Sequence, residues 1–243
     1  MYAGIGIAIL FGMVFGGFAI TGGALGPVME AIPHELLIIL GAAAGALVTG
    51  NNMHGLKALG GGFAKVFKGP KHNKLANHAL TALIADTLTL IVVSSGTLEV
   101  HAVEDVMDNA IKTHLHELHE PQHAIQNLAD ALPALGIVAA VLGVVKTMGS
   151  IDKPPSILGA MIGSALVGTF MGVLLAYGMV APMAGRLKQI IEADEQIFHA
   201  VKQVIIASLH GWPQPLVVES ARSGLGHDFR PGLSELLDAL RGR

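Results

Sequence analysis

His119-Glu120-Pro121-Gln122-His123 is the stretch of this sequence that comes nearest to a catalytic motif. It has the form H-E-x-x-H, in which two histidines one helical turn apart hold zinc and the glutamate acts as base. Pro121 stands between them, and an interior proline removes a backbone donor and crowds the preceding turn. The expectation is therefore that a helix ends at Pro121 and that the three groups do not share a face. His114, His116, His119 and His123 could together hold a metal loosely, but a solvated polar face is the weightier reading. No catalytic residue, metal ligand or cofactor is assigned. No nucleophile elbow, P-loop or dinucleotide fingerprint occurs, and the absence of cysteine excludes disulfides and thiolate chemistry. No basic stripe with interleaved aromatics is present, so nucleic acid is not an expected partner.

The remaining polar candidates lie in the apolar stretch Ala131–Pro182: Thr147, Ser164, Thr169 and Tyr177. The Thr169 hydroxyl has two readings, a bond to the carbonyl four residues back or a place on an ion path. Pro133 and Pro182 at the ends of the stretch are either start and stop signals or hinges. Proteins that bind ions inside a membrane usually show an intramembrane ionisable residue. The apolar segments read here offer no Asp, Glu, Arg or His at mid-depth. A conducted ion would then need a carboxylate from another chain.

The elements that must position these residues are apolar helices. The 243 residues are 52% apolar and 14% charged, with 31 glycines and a mean hydropathy of +0.59, concentrated in runs that suit a polytopic membrane protein. Four spans are predicted: Tyr2–Ile20, Leu36–Gly50 extended outward by Pro33–Glu35, Pro133–Met148, and Ile157–Val180. TGGALGPVMEAIPHE reads as a turn-rich connection between the first two, and Asn51 as a C-cap. In the fourth, Ala160, Ser164, Gly168, Gly172 and Ala176 recur at fourth-residue spacing, a ladder of small side chains suited to close helix packing. Residues 53–128 form a hydrophilic helical block with Gly-Gly-Gly and Gly-Pro breakers, and residues 185–243 form C-terminal helices beginning with an amphipathic run whose apolar positions include Ile190, Ile191, Ile197, Val201, Val204 and Ile205. Ala79–Ser95 has spanning length, but Asp86 and its hydroxyls favour a helix outside the bilayer. Of fifteen Lys and Arg, six lie in Met53–Gln126 and seven follow Pro182, so positive-inside orientation puts both termini and both hydrophilic blocks in the cytoplasm. The expected fold is all-α: two spans in 1–52, a cytoplasmic loop in 53–128, two spans in 129–184, and a cytoplasmic tail in 185–243.

LPALGIVAAVLGVVKTMGSIDKP, LGAMIGSALVGTFMGVLLAYGMVAPMAGRLK, GMVFGGFAITGGALG, VTGNN and VKQVIIASLHGWPQPLVVESAR together resemble the MotA/PomA family of flagellar stator subunits. The resemblance covers most of the chain. It implies a homopentamer in the bacterial inner membrane, arranged around two copies of a MotB-like single-span partner whose aspartate binds the ion. It implies that Pro133 and Pro182 respond to protonation of that aspartate, and that Thr169 lies beside the ion path. Sodium-driven relatives place a threonine seven residues after the first proline, where this chain has Ala140. Na⁺ favours oxygen ligands and alanine supplies none, so the implied ion is H⁺ in preference to Na⁺. The resemblance thus implies a proton-driven motor subunit for motility and not an enzyme, with membrane lipids and a flagellar rotor protein as further partners.

One departure stands out. The cytoplasmic loop between the second and third spans is shorter than in the flagellar family, and no Arg occurs before Arg186. The rotor-facing Arg and Glu of the family therefore have no counterpart here. Lys65, Lys68, Lys71, Lys74 and Asp86 are substitutes by charge only, since membrane-proximal lysines also serve topology and headgroups. The shortened loop also suits a second reading, an ExbB/TolQ-type motor subunit acting on a different load.

Overall fold

The computed structural model describes residues 2–68, 99–226, 230 and 232, and every described element is helical. Ala79–Ser95 with Asp86, as well as Lys71 and Lys74, lie outside the described residues. In chain order the helices are α1 (Tyr2–Ile20), α2 (Leu25–Gly50), α3 (Met53–Lys68), α4 (Val100–Met148) and α5 (Pro155–Leu175), followed by a π-helical turn (Ala176–Val180), α6 (Ala181–Leu209) and α7 (Gln214–Ser223). Four of these stretches are long and apolar enough to cross a membrane, in α1, α2, α4 and the continuous run from Pro155 to Leu209. The chain forms two compact units, the first from described residues of Met1–Gly69 and His119–Lys188, the second from those of Pro70–Leu118 and Gln189–Arg243.

The helix ends follow from local chemistry. α1 stops where Gly22 takes φ +86°, with Gly23 N–H donating to the Phe18 carbonyl at 2.9 Å and Gly22 N–H to Ala19 at 3.1 Å. That paired pattern needs a left-handed residue, which glycine adopts without steric cost. Gly211, at φ +72°, ends α6 in the same way, and Pro213 then starts α7. The C-cap expected at Asn51 is present: its side-chain amide donates to the Leu47 carbonyl at 2.9 Å. Asn52 caps the next helix by accepting from Gly55 N–H at 2.6 Å.

Three sequence expectations are corrected, and the open reading of Pro182 is narrowed. α2 begins at Leu25, so most of the stretch read as a turn-rich connection is helix, because Pro27 sits in the first turn where no donor is missed. The three glycines at 60–62 do not break α3; Gly62 lets it approach α4 and α6, since a Cβ there would lie 3.2 Å from Pro121 and from Leu187. α4 does not end at Pro121 or start at Pro133 but runs through both. Pro182 likewise lies inside helix, immediately after the π turn.

In the first unit, α2 and α5 pack together, and α4 meets α5 at backbone contact. A Cβ added at Gly172 would lie 2.8 Å from Gly136 Cα and 2.8 Å from the Leu132 carbonyl oxygen, and one at Gly143 would lie 2.6 Å from Ala165 Cβ. Small residues let helices approach this closely, and dispersion across the contact replaces the hydrophobic effect that lipid cannot supply.

The second unit has its own core. Val103, Met107 and Ile111 of α4 recur every fourth residue and pack with Phe198 and Ile206 of α6. The buried α6 face therefore runs through Phe198, Lys202 and Ile206, whereas Ile197 and Val204, counted among the apolar positions above, are exposed. Lys202 lies within that apolar face, and its ammonium donates to Asp108 at 2.7 and 2.8 Å and pairs with Glu104 at 2.9 Å. Burial pulls the Lys202 ammonium down, but the hydrogen bonds from Asp108 and Glu104 outweigh it and hold the group above the ordinary lysine value.

Two outcomes are expected. Gly172→Val should destabilise the extracted protein by about 1–3 kcal/mol, because backbone cannot yield to the new side chain; Gly159→Ala, with open space around it, should leave the melting temperature unchanged or raised. Lys202→Met should cost about 1 kcal/mol, a value discounted because both carboxylates remain over a third exposed. The Lys202 contribution is fully present below roughly pH 10.4 and lost as pH rises through its elevated folded value, which denaturation across alkaline pH would measure.

Candidate functional site

Gly168, the residue before Thr169, meets α4 at Ala139 and Ala140. A Cβ on Gly168 would lie 3.2 Å from Ala139 Cβ and 3.2 Å from the Ala140 backbone nitrogen, so α4 and α5 touch there, with Thr169 the next residue along. Thr21, Thr49, Thr113 and Thr147 each bond the carbonyl four residues back. Among the described residues no such bond is drawn from half-buried Thr169, whose hydroxyl is left for other partners. Gly168, Gly172 and Ala176 of the small-residue ladder are buried in this packing, whereas Ser164 is half-buried and Ala160 exposed. Those two line a cavity instead, and Ala165 takes over the contact with α4 opposite Gly143.

The third side of Gly168 holds the residue that the sequence reading missed. A Cβ on Gly168 would lie 2.6 Å from Glu35 Oε2. Glu35 is on α2, ten residues after Leu25 and fifteen before Gly50, while Gly168 is thirteen residues after Pro155 and twelve before Val180. Both are near the middle of their apolar helices, at about 1.5 Å of rise per residue. The expectation that the spans carry no acidic residue at mid-depth is thus overturned. Its cause was the late start assigned to the second span, which left Glu35 at the membrane edge. A signal was available: Ala31, Glu35, Ile39 and Ala43 are spaced by four and are all buried, so Glu35 occupies the register of an apolar stripe.

At the other end of the unit stands Pro182. A proline here leaves the Gly178 carbonyl without its helical donor, and the helix answers by widening, with Ala181 N–H donating to the Ala176 carbonyl five residues back. Leu10 of α1 packs so close to the widened turn that a Cβ on Gly178 would lie 2.5 Å from its Cδ2. Beside it lies a cavity of about 550 Å³ bordered by Leu10, Val66, Tyr177, Pro182 and Arg186. Arg186 closes that end by donating its Nε–H to the Val66 carbonyl in the last turn of α3, at 3.1 Å. Pro133 is half-buried one residue after Leu132, whose carbonyl Gly172 approaches. Both prolines therefore act inside continuous helix, not as start and stop signals.

His119 and His123 lie one turn apart on unbroken α4, with ring centroids 6.0 Å apart. Helix continuity through Pro121 corrects the expectation that the turn between them breaks. Among the described residues, however, no group of three or more His, Asp or Glu is arranged to hold a metal.

Two family models match the sequence, motility protein A N-terminal over residues 4–93 and the MotA/TolQ/ExbB proton channel family over residues 67–200. The chain belongs to the MotA/TolQ/ExbB proton channel family. Motility protein A of Escherichia coli K12 is 33% identical over 281 aligned positions that cover 98% of this chain and 94% of the relative. Chemotaxis protein LafT of Vibrio parahaemolyticus is 28% identical, covering 96% and 95%. Because the 281 positions exceed the 243 residues here, the Escherichia coli relative carries internal sequence that this MotA-family chain lacks. Among solved structures, Campylobacter jejuni MotAB aligns with TM-score 0.75 at 18% identity, covering 96% of this chain and 98% of that one. The flagellar MotAB stator complex of Bacillus subtilis aligns with TM-score 0.76 at 18% identity, covering 94% and 97%. These likenesses show the same helical fold, and with the four apolar stretches they make the chain a multi-pass membrane protein.

Pro182→Ala returns a donor for the Gly178 carbonyl and removes the reason for the π turn. The expected outcome is a protein of equal or higher melting temperature whose ion flux with its partner falls roughly tenfold, a barrier increase of about 1.4 kcal/mol. Unchanged flux would show that the widened turn is only structural.

Proposed function

We propose that this chain is a MotA-type stator subunit which, with a MotB-like single-span partner, conducts protons and converts their flow into rotation for motility. The observation that carries the reading is the α4–α5 contact at Gly168, where Ala140 meets the residue that precedes Thr169, in a chain of the proton channel family. A partner aspartate beside this contact would be neutral when protonated and charged when the proton leaves. In a low-dielectric setting that change is large enough to favour a different helix arrangement. Pro133 and Pro182, each inside continuous helix, supply places where the arrangement can bend.

The ion is H⁺ because Ala140 offers no side-chain oxygen at the position where Na⁺-driven relatives carry threonine. Partner dependence draws support from the two MotAB structures whose fold the chain shares. A ring of five subunits around two partners draws support from the large apolar side chains left exposed on the single chain, among them Ile137, Val141, Leu166 and Val173, which neighbouring subunits and lipid would cover. Both termini are placed in the cytoplasm by the distribution of Lys and Arg. The load is the flagellar rotor, in preference to an ExbB/TolQ-type load, because the curated relatives matched along nearly the whole chain are motility and chemotaxis proteins. The chain is thus a transport machine and not an enzyme.

Proteoliposomes holding this chain and its partner should acidify in response to a pH gradient with or without Na⁺, and replacing the partner aspartate with asparagine should abolish the flux. Flux that required Na⁺ would overturn the ion assignment, and flux that survived the asparagine variant would overturn the mechanism.

A further inference from the structure

Glu35 is 6% exposed, and its Oε2 is buried without a hydrogen-bond partner. A buried carboxylate oxygen with no donor is costly, so a purely structural role would ordinarily come with a hydrogen bond to it. Glu35 also borders a cavity of about 350 Å³ whose polar groups are Glu30, His34, Lys146, Thr147 and Ser164. These residues belong to the first half of α2, the last turns of α4 and the first turns of α5. The cavity therefore lies toward the membrane face that carries the α1–α2 and α4–α5 turns. Glu35 stands at its deep end, and Gly168 with Thr169 lies beyond. A line of polar groups leads inward from that face and ends on a carboxyl whose Oε2 has no hydrogen-bond partner.

We propose that Glu35 is a proton-binding group of the path supplied by this chain itself, loading from the cavity and handing its proton inward past Gly168 and Thr169. The inference rests on the proton-conducting reading above. In each cycle the proton on the Glu35 carboxyl leaves to water or to the partner carboxylate, and another enters from the cavity; no electrons move. Glu30 and His34 from α2 and Lys146 from α4 are the other titratable groups that line the cavity, and α5 adds only the Ser164 hydroxyl to its polar lining. Glycine at 168 leaves room for this carboxyl, since a Cβ there would lie 2.6 Å from its Oε2.

Two measurements on the full complex in proteoliposomes test this. Glu35→Gln keeps the shape and removes the titration, and proton flux should fall at least tenfold while assembly with the partner is retained. An apolar carbodiimide, which attacks protonated carboxyls, should label Glu35 of the wild-type complex, as peptide mass mapping would show, with labelling declining as pH rises. Wild-type flux together with undiminished Glu35→Gln flux of unchanged pH profile overturns the inference and leaves the proposed function standing. Absence of wild-type flux instead defeats the proposed function. Should Glu35→Gln not assemble, the labelling decides: a pH-dependent adduct on Glu35 supports the inference, and labelling of the partner aspartate without Glu35 overturns it.

Discussion

Everything in the membrane-spanning unit depends on how near α4 and α5 come to each other. Gly136 and Gly172 meet backbone to backbone, and Gly168 sits between Ala139–Ala140 on one side and Glu35 on the other. No larger side chain fits at these positions without separating the helices. The approach puts Ala140 against Gly168, the residue before Thr169, and a carboxyl of α2 lies against the same contact. Packing and chemistry are therefore one constraint: whatever moves α4 against α5 also alters the surroundings of Glu35.

Much of this was legible in the sequence, and the misses have physical causes. The apolar runs, the small-residue spacing of Gly168, Gly172 and Ala176, and the cap at Asn51 could be read directly, because each reflects local periodicity or local hydrogen bonding. The prolines could not. Pro121, Pro133 and Pro182 all lie within helix, the last of them just after a π turn that absorbs the lost donor, and local sequence rules do not foresee that tolerance. Glu35 was hidden by a rule applied too strictly. Counting apolar residues starts the second span at Leu36 and adds Pro33–Glu35 only as its outer edge, although the fourth-residue stripe Ala31, Glu35, Ile39, Ala43 continues through it.

The second unit shows a different economy. Among the described residues, five buried apolar side chains, four partly buried ones and a lysine held by two carboxylates pair the first turns of α4 with the last turns of α6. Lys202 is buried among apolar neighbours and charged, which is tolerable because its stem adds to the packing while its ammonium reaches Asp108 and Glu104 at the rim. Such an arrangement favours one register of the two helices as well as their proximity, since a shift by one turn would part the ammonium from one of the two acids.

The Asn51–Asn52 joint between α2 and α3 has a geometric consequence. Asn51 terminates one helix and Asn52 initiates the next, leaving no slack residue between them. A helix turns by about 100° per residue, so the joint sets the rotational phase of α3 relative to α2 as a keyed coupling would. One inserted residue would swing Leu59 and Val66, both now buried, away from their neighbours. It would also carry off the Val66 carbonyl that Arg186 holds. Two asparagines thereby act as a ruler whose shortest possible setting is the one in use.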